Sequence, residues 1–202
     1  SQVRHEIAML SLNKVFDEAD LQSFETRLKK RLETESSIQY SCEPKVDGIA
    51  VSLLYKDGML EQAATRGDGV TGEDITHNVR TISSIPLELK QKKKNTFIEI
   101  RGEIFLGKDG FKKLNETSEK EGGKIFVNPR NTAAGAIRQL DPKKAAKIPL
   151  KMYCYSVGLV EGIRLPKTLS EIFTLIEKWG LPVNPDRSVE KGVDACLTYC
   201  LE

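Results

Sequence analysis

Residues 49–72 read IAVSLLYKDGMLEQAATRGDGVTG, and the fold class turns on how they are read. The last six, GDGVTG at 67–72, spell G-x-G-x-x-G. Between a strand and a helix, that spelling marks the phosphate-binding turn of a parallel dinucleotide-binding sheet. The residues before it argue otherwise. Two β-rich runs, 49–56 and 59–65, flank Asp57-Gly58, a pair that favours a type I′ hairpin. A strand that closes a hairpin does not open a βαβ unit. Neither the parallel strand nor the acidic residue such a unit needs follows at the usual distance. Gly67, Gly69 and Gly72 are instead expected to permit a tight turn with positive φ that fixes Arg66. The sheet is then at least partly antiparallel, and the class is α+β rather than doubly wound.

Outward from this hairpin the elements follow from local pattern. Upstream, Leu21, Phe24, Leu28 and Leu32 recur at helical spacing and predict an amphipathic helix over 17–34, capped by Asp17. Residues 38–44 read as a short strand. Downstream, 73–81 read as a short helix and 90–95 (KQKKKN) as a polar loop. In 96–106 (TFIEIRGEIFL) apolar residues alternate with Glu99, Arg101 and Glu103, as a strand requires. A charged helix over 108–121 ends at Gly122-Gly123. Residues 124–149 read as loop with short helices, and 150–160 as a strand. Thr168 and Glu171 spell a capping box for a helix that stops at Gly180. Residues 188–201 read as a last helix. No internal repeat is visible.

Composition places the chain among soluble globular proteins: 202 residues, 39% hydrophobic and 30% charged. No apolar run approaches the roughly 20 residues of a membrane span. Residues 1–20 alternate charges with apolar residues, unlike a secretory leader. A net charge of +2 neither demands nor excludes a nucleic-acid partner. Residues 124–151 are more telling, with Lys124, Arg130, Arg138, Lys143, Lys144, Lys147 and Lys151 against a single acid, Asp141. That balance suits either a solvated face or a phosphate-facing patch. Cys42, Cys154, Cys196 and Cys200 are too scattered for a disulfide scaffold and read as reduced thiols of a cytoplasmic protein. His5 and His77 form no metal pattern, and the sequon at Asn115 carries no meaning without a secretory signal.

The chemistry centres on CEPKVDG at 42–48. K-x-D-G alone is weak, since chance writes it in about one chain in twenty of this length. Its companions at ordered distances give it weight: RHEIAMLSL at 4–12, TRGDG at 65–69, EIRGE at 99–103, FVNPRNTAAGAIRQLDP at 126–142 and MYCYSVG at 152–158. Together they closely resemble the adenylation domain of bacterial NAD-dependent DNA ligases, over nearly the whole chain.

The resemblance implies a nucleotidyltransferase core of antiparallel sheets with flanking helices, the ATP-grasp-like fold shared by DNA ligases and mRNA capping enzymes. It implies that Lys45 attacks the α-phosphorus of NAD, that AMP passes from the lysine to the 5′-phosphate of a DNA nick, and that the 3′-hydroxyl then seals the strand in replication and repair. Position by position, Glu43 reads the adenine edge, Asp47 and Gly48 complete the lysine motif, and Arg66 and Glu103 sit by the ribose and adenylate. Tyr155 stacks on adenine, Ser11 and Leu12 line the nucleotide site, and Arg130 and Arg138 face phosphates. The implied cofactors are NAD as AMP donor and magnesium or manganese at the phosphates, with zinc confined to another part of the parent enzyme. The implied partners are NAD and nicked duplex DNA, with no membrane, for a monomeric enzyme acting at the bacterial nucleoid.

The family pattern also contains a later Asp-Gly-Val-Val-x-Lys strand and a further lysine motif, and neither occurs in residues 1–202. The chain is therefore expected to be part of an adenylation domain. It would lack the nicotinamide-gripping, OB-fold, zinc-finger, helix-hairpin-helix and BRCT regions of the parent, and would be inactive or nearly so alone.

Elementary chemistry fits these roles. A free lysine has a pKa near 10.4, so about one in 2,500 is neutral at pH 7, and supplying the amine costs about 4–5 kcal/mol. Neighbouring cations or desolvation lower that cost; Arg66, Arg130, Arg138 and a bound metal are the candidate cations. Arg130 and Arg138, eight residues apart, point one way if a helix joins them, and arginine grips phosphate bidentately. Two other readings share parts of this pattern. A nucleotide- or nucleic-acid-binding module without catalysis would not need Lys45. An ATP-dependent ligase or capping-type transferase shares K-x-D-G but not FVNPRNTAAGAIRQLDP.

Overall fold

The computed structural model describes residues 1–201. In chain order its elements are β1 (Gln2–Arg4), α1 (Glu18–Leu32), β2 (Gln39–Cys42), β3 (Ile49–Lys56), β4 (Met59–Thr65), β5 (Thr71–Glu73) and α2 (Thr76–Val79). There follow β6 (Phe97–Leu106), α3 (Lys108–Lys120), α4 (Pro129–Ile137), α5 (Pro142–Ala145), β7 (Leu150–Glu161), α6 (Leu169–Lys178), β8 (Ser188–Lys191) and α7 (Val193–Leu201). The chain divides into two compact units. One comprises Ser1–Met9 and Val46–Val183; the other, Leu10–Lys45 and Asn184–Glu202.

The larger unit is built on a four-stranded antiparallel sheet in the order β4-β3-β6-β7. The hairpin forms as its sequence expects: Asp57 and Gly58 both take positive φ, 52° and 82°, and join β3 to β4. One sheet face is the core. Val51, Leu53 and Tyr55 of β3, Ile98, Ile100 and Ile104 of β6, and Met152 and Cys154 of β7 are all buried. Helices α4 and α6 add Ala133, Ile137, Phe173 and Ile176 to the same cluster. Alternation then carries Ser52, Glu99, Arg101 and Glu103 to the opposite, polar face. The capping box of Thr168 and Glu171 opens α6, and Gly180 follows its end at φ 92°.

The GDGVTG stretch is a turn, not a dinucleotide fingerprint. Asp68 accepts from the Val70 and Thr71 N–H groups at 2.9 and 2.7 Å, and these bonds hold its carboxyl below the ordinary aspartate range. Gly67 and Gly69 take φ 58° and 97°. Gly72 departs from the expectation, having no positive φ. It is glycine because a Cβ there would collide with the Thr65 carbonyl. The next strand, β5, pairs antiparallel with β1 and leads only into the four-residue α2.

In the smaller unit α1 starts at its Asp17 cap, whose side chain accepts from the Asp20 N–H at 2.8 Å. The single helix expected over 188–201 is a strand and a helix. Ser188–Lys191 pairs antiparallel with β2, and Gly192 at φ 83° separates it from α7. Among the described residues no helix is long and apolar enough to cross a membrane.

Candidate active site

The expected site residues fall in both units. In the smaller one, β2 runs directly into Glu43 and Lys45. Lys45 is exposed and Glu43 half-buried. Burial pushes the Glu43 carboxyl up, and Arg187 opposes that only in part. Ser11 and Leu12 lie in exposed chain without regular structure. Cys42, just before Glu43, donates its thiol to Cys196 Sγ at 3.7 Å. All four cysteines are free thiols, Cys154 and Cys196 buried, Cys42 half-buried and Cys200 exposed.

In the larger unit EIRGE and MYCYSVG lie side by side, on the paired strands β6 and β7. Glu103 lies opposite Ala50 on one side and Tyr153 on the other. Its Oε1 accepts the Gly48 N–H at 3.2 Å, joining the lysine motif to EIRGE. Tyr155 is the extra residue of a β-bulge, since pairing passes from Gly102↔Cys154 to Arg101↔Ser156. A bulge re-aims the side chain it carries. The Phe105 and Tyr153 rings stand 5.0 Å apart beside Glu103.

Arg66 follows β4 and is held by its backbone. Its N–H donates to the Ala50 carbonyl at 2.8 Å, and its own carbonyl accepts from Gly69 at 3.0 Å. Sequence reasoning left His5 without a role. The ring is buried, with Nε2 3.0 Å from the Thr65 carbonyl and 3.3 Å from that of Arg66. The His5 and Met9 N–H groups donate to Val70 and Gly69 carbonyls. Arg101 secures the same strip from the other side, donating to the Ala8 and Ile7 carbonyls at 3.1 and 2.5 Å. Its Nε bonds Glu99 at 2.9 Å. Glu99 is buried and also accepts from Ser52 Oγ and the Leu159 N–H. Burial alone would raise the Glu99 carboxyl. The Arg101, Leu159 and Ser52 bonds outweigh it and hold the group below its ordinary range.

The long motif at 126–142 divides into fold signals and chemistry. Asn115 of α3 brackets Phe126, accepting from its N–H at 2.8 Å and donating to its carbonyl at 2.9 Å. Asn128 caps α4 by accepting the Asn131 N–H, and Pro129 fills the first turn. Arg130 lies in that first turn and Arg138 immediately after the last. Each meets a carboxylate: Arg130 Nη1 is 3.4 Å from Asp47, and Arg138 Nε is 2.5 Å from Glu73. A cavity of about 460 Å³ opens beside this motif, lined by Phe126, Asn128, Thr132, Ala136 and Lys144. It does not include Arg66 or Glu103.

Among the described residues no three carboxylates, imidazoles or thiols converge to cage a metal. Asp47, the exposed acid of the lysine motif, already faces Arg130. A magnesium ion would have to take most of its oxygen ligands from substrate phosphates and water.

The family model described as NAD-dependent DNA ligase adenylation domain matches residues 1–202. Proteins named DNA ligase from Coxiella burnetii, strains Dugway 5J108-111 and RSA 493 / Nine Mile phase I, are 48% identical over 197 residues, or 98% of this chain. The chain spans 29% of the length of those relatives.

Proposed function

Because the chain belongs to the family of NAD-dependent DNA ligase adenylation domains, we propose that it is the nucleotidyl-transferring part of a DNA ligase and that Lys45 is its nucleophile. The whole-length family match carries this reading, with the motifs of the larger unit joined through Gly48 and Glu103 in support. The sheet and its helices are then a nucleotidyltransferase core of the ATP-grasp-like kind, in a monomeric enzyme of the bacterial cytoplasm acting in replication and repair.

In the proposed reaction the neutral Lys45 amine attacks the α-phosphorus of NAD. A P–N bond forms, the phosphoanhydride P–O bond breaks, and nicotinamide mononucleotide leaves with the electron pair as the amine gives up its proton. AMP next passes to the 5′-phosphate of a nick, and the 3′-hydroxyl displaces it to seal the strand. Glu43 offers adenine a carboxylate acceptor. Tyr155 supplies a stacking face, a contact worth about 1–3 kcal/mol per base. Glu103 and Arg66 bind around the ribose and adenylate, Ser11 and Leu12 line the nucleotide, and Asp47 and Gly48 shape the lysine motif. Arg130 and Arg138 exchange their carboxylate partners for phosphate oxygens. A bound magnesium ion would supply charge neutralisation for the phosphates, with Asp47 the one carboxylate of the lysine motif itself.

The donor is the direct test. Incubating the ligase that contains this chain with NAD or with ATP, then measuring intact mass, should show one added AMP from NAD and none from ATP. AMP taken from ATP would favour the ATP-dependent ligase or capping-type reading. Nucleotide binding without AMP transfer would favour a binding module.

A further inference from the structure

Asn78 lies on α2, in a segment to which neither the resemblance nor the motifs give a role. It is 5% exposed. Its Nδ2 donates to the Ile137 carbonyl and to the Gln139 carbonyl, both at 2.7 Å. Those two carbonyls bracket Arg138. They also fall at the end of α4, where carbonyls lose their helical donors.

The amide orientation follows from chemistry. Turned over, Asn78 would aim an acceptor at two other acceptors. In the orientation that satisfies both carbonyls, Asn78 Oδ1 is buried without a hydrogen-bond partner. A buried orphan acceptor is costly, so the site tolerates a polar defect in order to hold the backbone around one exposed arginine. The same stretch of chain supplies Glu73, whose carboxylate meets Arg138 Nε. Residues 73–78 thus hold Arg138 twice, by its guanidinium and by the carbonyls of the residues before and after it. Asn78 is itself anchored: its N–H donates to the Ile75 carbonyl, its own carbonyl accepts from Thr81 Oγ1 at 2.7 Å, and the adjoining Val79 is buried in the core.

We infer that Asn78 is a positioning residue for Arg138, fixing the backbone from which that guanidinium reaches a phosphate oxygen of the substrate. This rests on the proposed phosphate-facing role of Arg138. The phosphate is that of the nucleotide donor or of the nicked strand, and two assays tell them apart.

The test is a double-mutant cycle in the ligase that contains this chain, using wild type, Asn78→Ala, Arg138→Ala and the double variant. One arm measures kcat and KM for lysyl-AMP formation from NAD. The other measures binding to a nicked duplex. Arg138→Ala should lose about tenfold in the arm where its phosphate lies, and Asn78→Ala should reproduce most of that loss. The double variant should match Arg138→Ala within about twofold, because Asn78 has nothing to position once the guanidinium is gone. Asn78→Ser, which retains a single donor, should fall between wild type and Asn78→Ala and carries the cycle if the alanine variant does not fold. Losses that multiply in the double variant, or an Asn78 variant equal to wild type, overturn the inference while Arg138 keeps its role. An Arg138→Ala variant equal to wild type in both arms overturns the role of Arg138 and the inference with it.

Discussion

The Gly48 N–H donates to Glu103 Oε1 at 3.2 Å, across 55 residues of sequence. The approach is close because a Cβ on Gly48 would strike the Ile104 carbonyl. Gly48→Ala should therefore push β3 from β6 at this edge and cost about 1–3 kcal/mol of stability. Glu103→Gln keeps an acceptor for the amide and should stay within about 1 kcal/mol of wild type. Urea unfolding of both variants measures the difference. A Gly48→Ala protein as stable as wild type would show that the strands separate freely here.

Arg101 and Glu99 form a buried pair, so removing one charge should cost more than removing both. Arg101→Met leaves the Glu99 carboxylate unpaired and should lose about 2–4 kcal/mol, with much of that recovered in Glu99→Gln/Arg101→Met. Chemical denaturation at pH 7 checks this. The pH dependence has a definite sign. The folded Glu99 carboxyl titrates below its unfolded value, so its stabilisation is complete above about pH 4.3 and is lost as pH falls through the folded value. The stability gap between wild type and Glu99→Gln should narrow on that acid limb.

Glu43 behaves oppositely. Burial raises its carboxyl, so its favourable contribution is full below the unfolded pKa and is lost as pH rises through the folded one. Glu43→Gln should thus be no more stable than wild type near pH 4. Near pH 7 it should melt slightly higher than wild type, because the amide removes a half-buried charge. Thermal melts at the two pH values measure it. If Glu43 reads adenine, the same variant binds nucleotide more weakly despite being more stable.

Arg130 and Arg138 make ion pairs whose side chains are all more than half exposed. Such pairs contribute about 0–1 kcal/mol. Arg130→Ala and Arg138→Ala should shift Tm little. If both face DNA phosphates, each should also weaken nicked-duplex binding and reduce its logarithmic salt slope by about one. Titrations over a range of salt concentrations separate the two effects. An unchanged slope would place the arginines off the strand.

Elements with local signals were legible in the sequence. Asp57-Gly58 marks its hairpin, Asp17 and Thr168 their helices, and the alternation in 96–106 its strand. Each depends on neighbours a few residues away. Ser188–Lys191 was not legible, because four residues show too little alternation and the partner strand is Gln39–Cys42. The supports of the candidate site were hidden for the same reason. Arg101 bonds a carbonyl 94 residues away, and Asn78 bonds two that are 59 and 61 away. Backbone carbonyls leave no signature in side-chain spelling. The roles carried over from the motifs belong to residues proposed to touch substrate, whereas His5 and Glu99 inside those motifs, and Asn78 outside them, hold other residues in place.

The central claim is that Lys45 carries the AMP. The ligase containing this chain should be incubated with NAD and magnesium, digested, and mapped by mass spectrometry under conditions that preserve the acid-labile P–N bond. One AMP is expected on the peptide bearing Lys45, and none in Lys45→Arg. AMP on any other residue, or an undiminished adduct in Lys45→Arg, would contradict it.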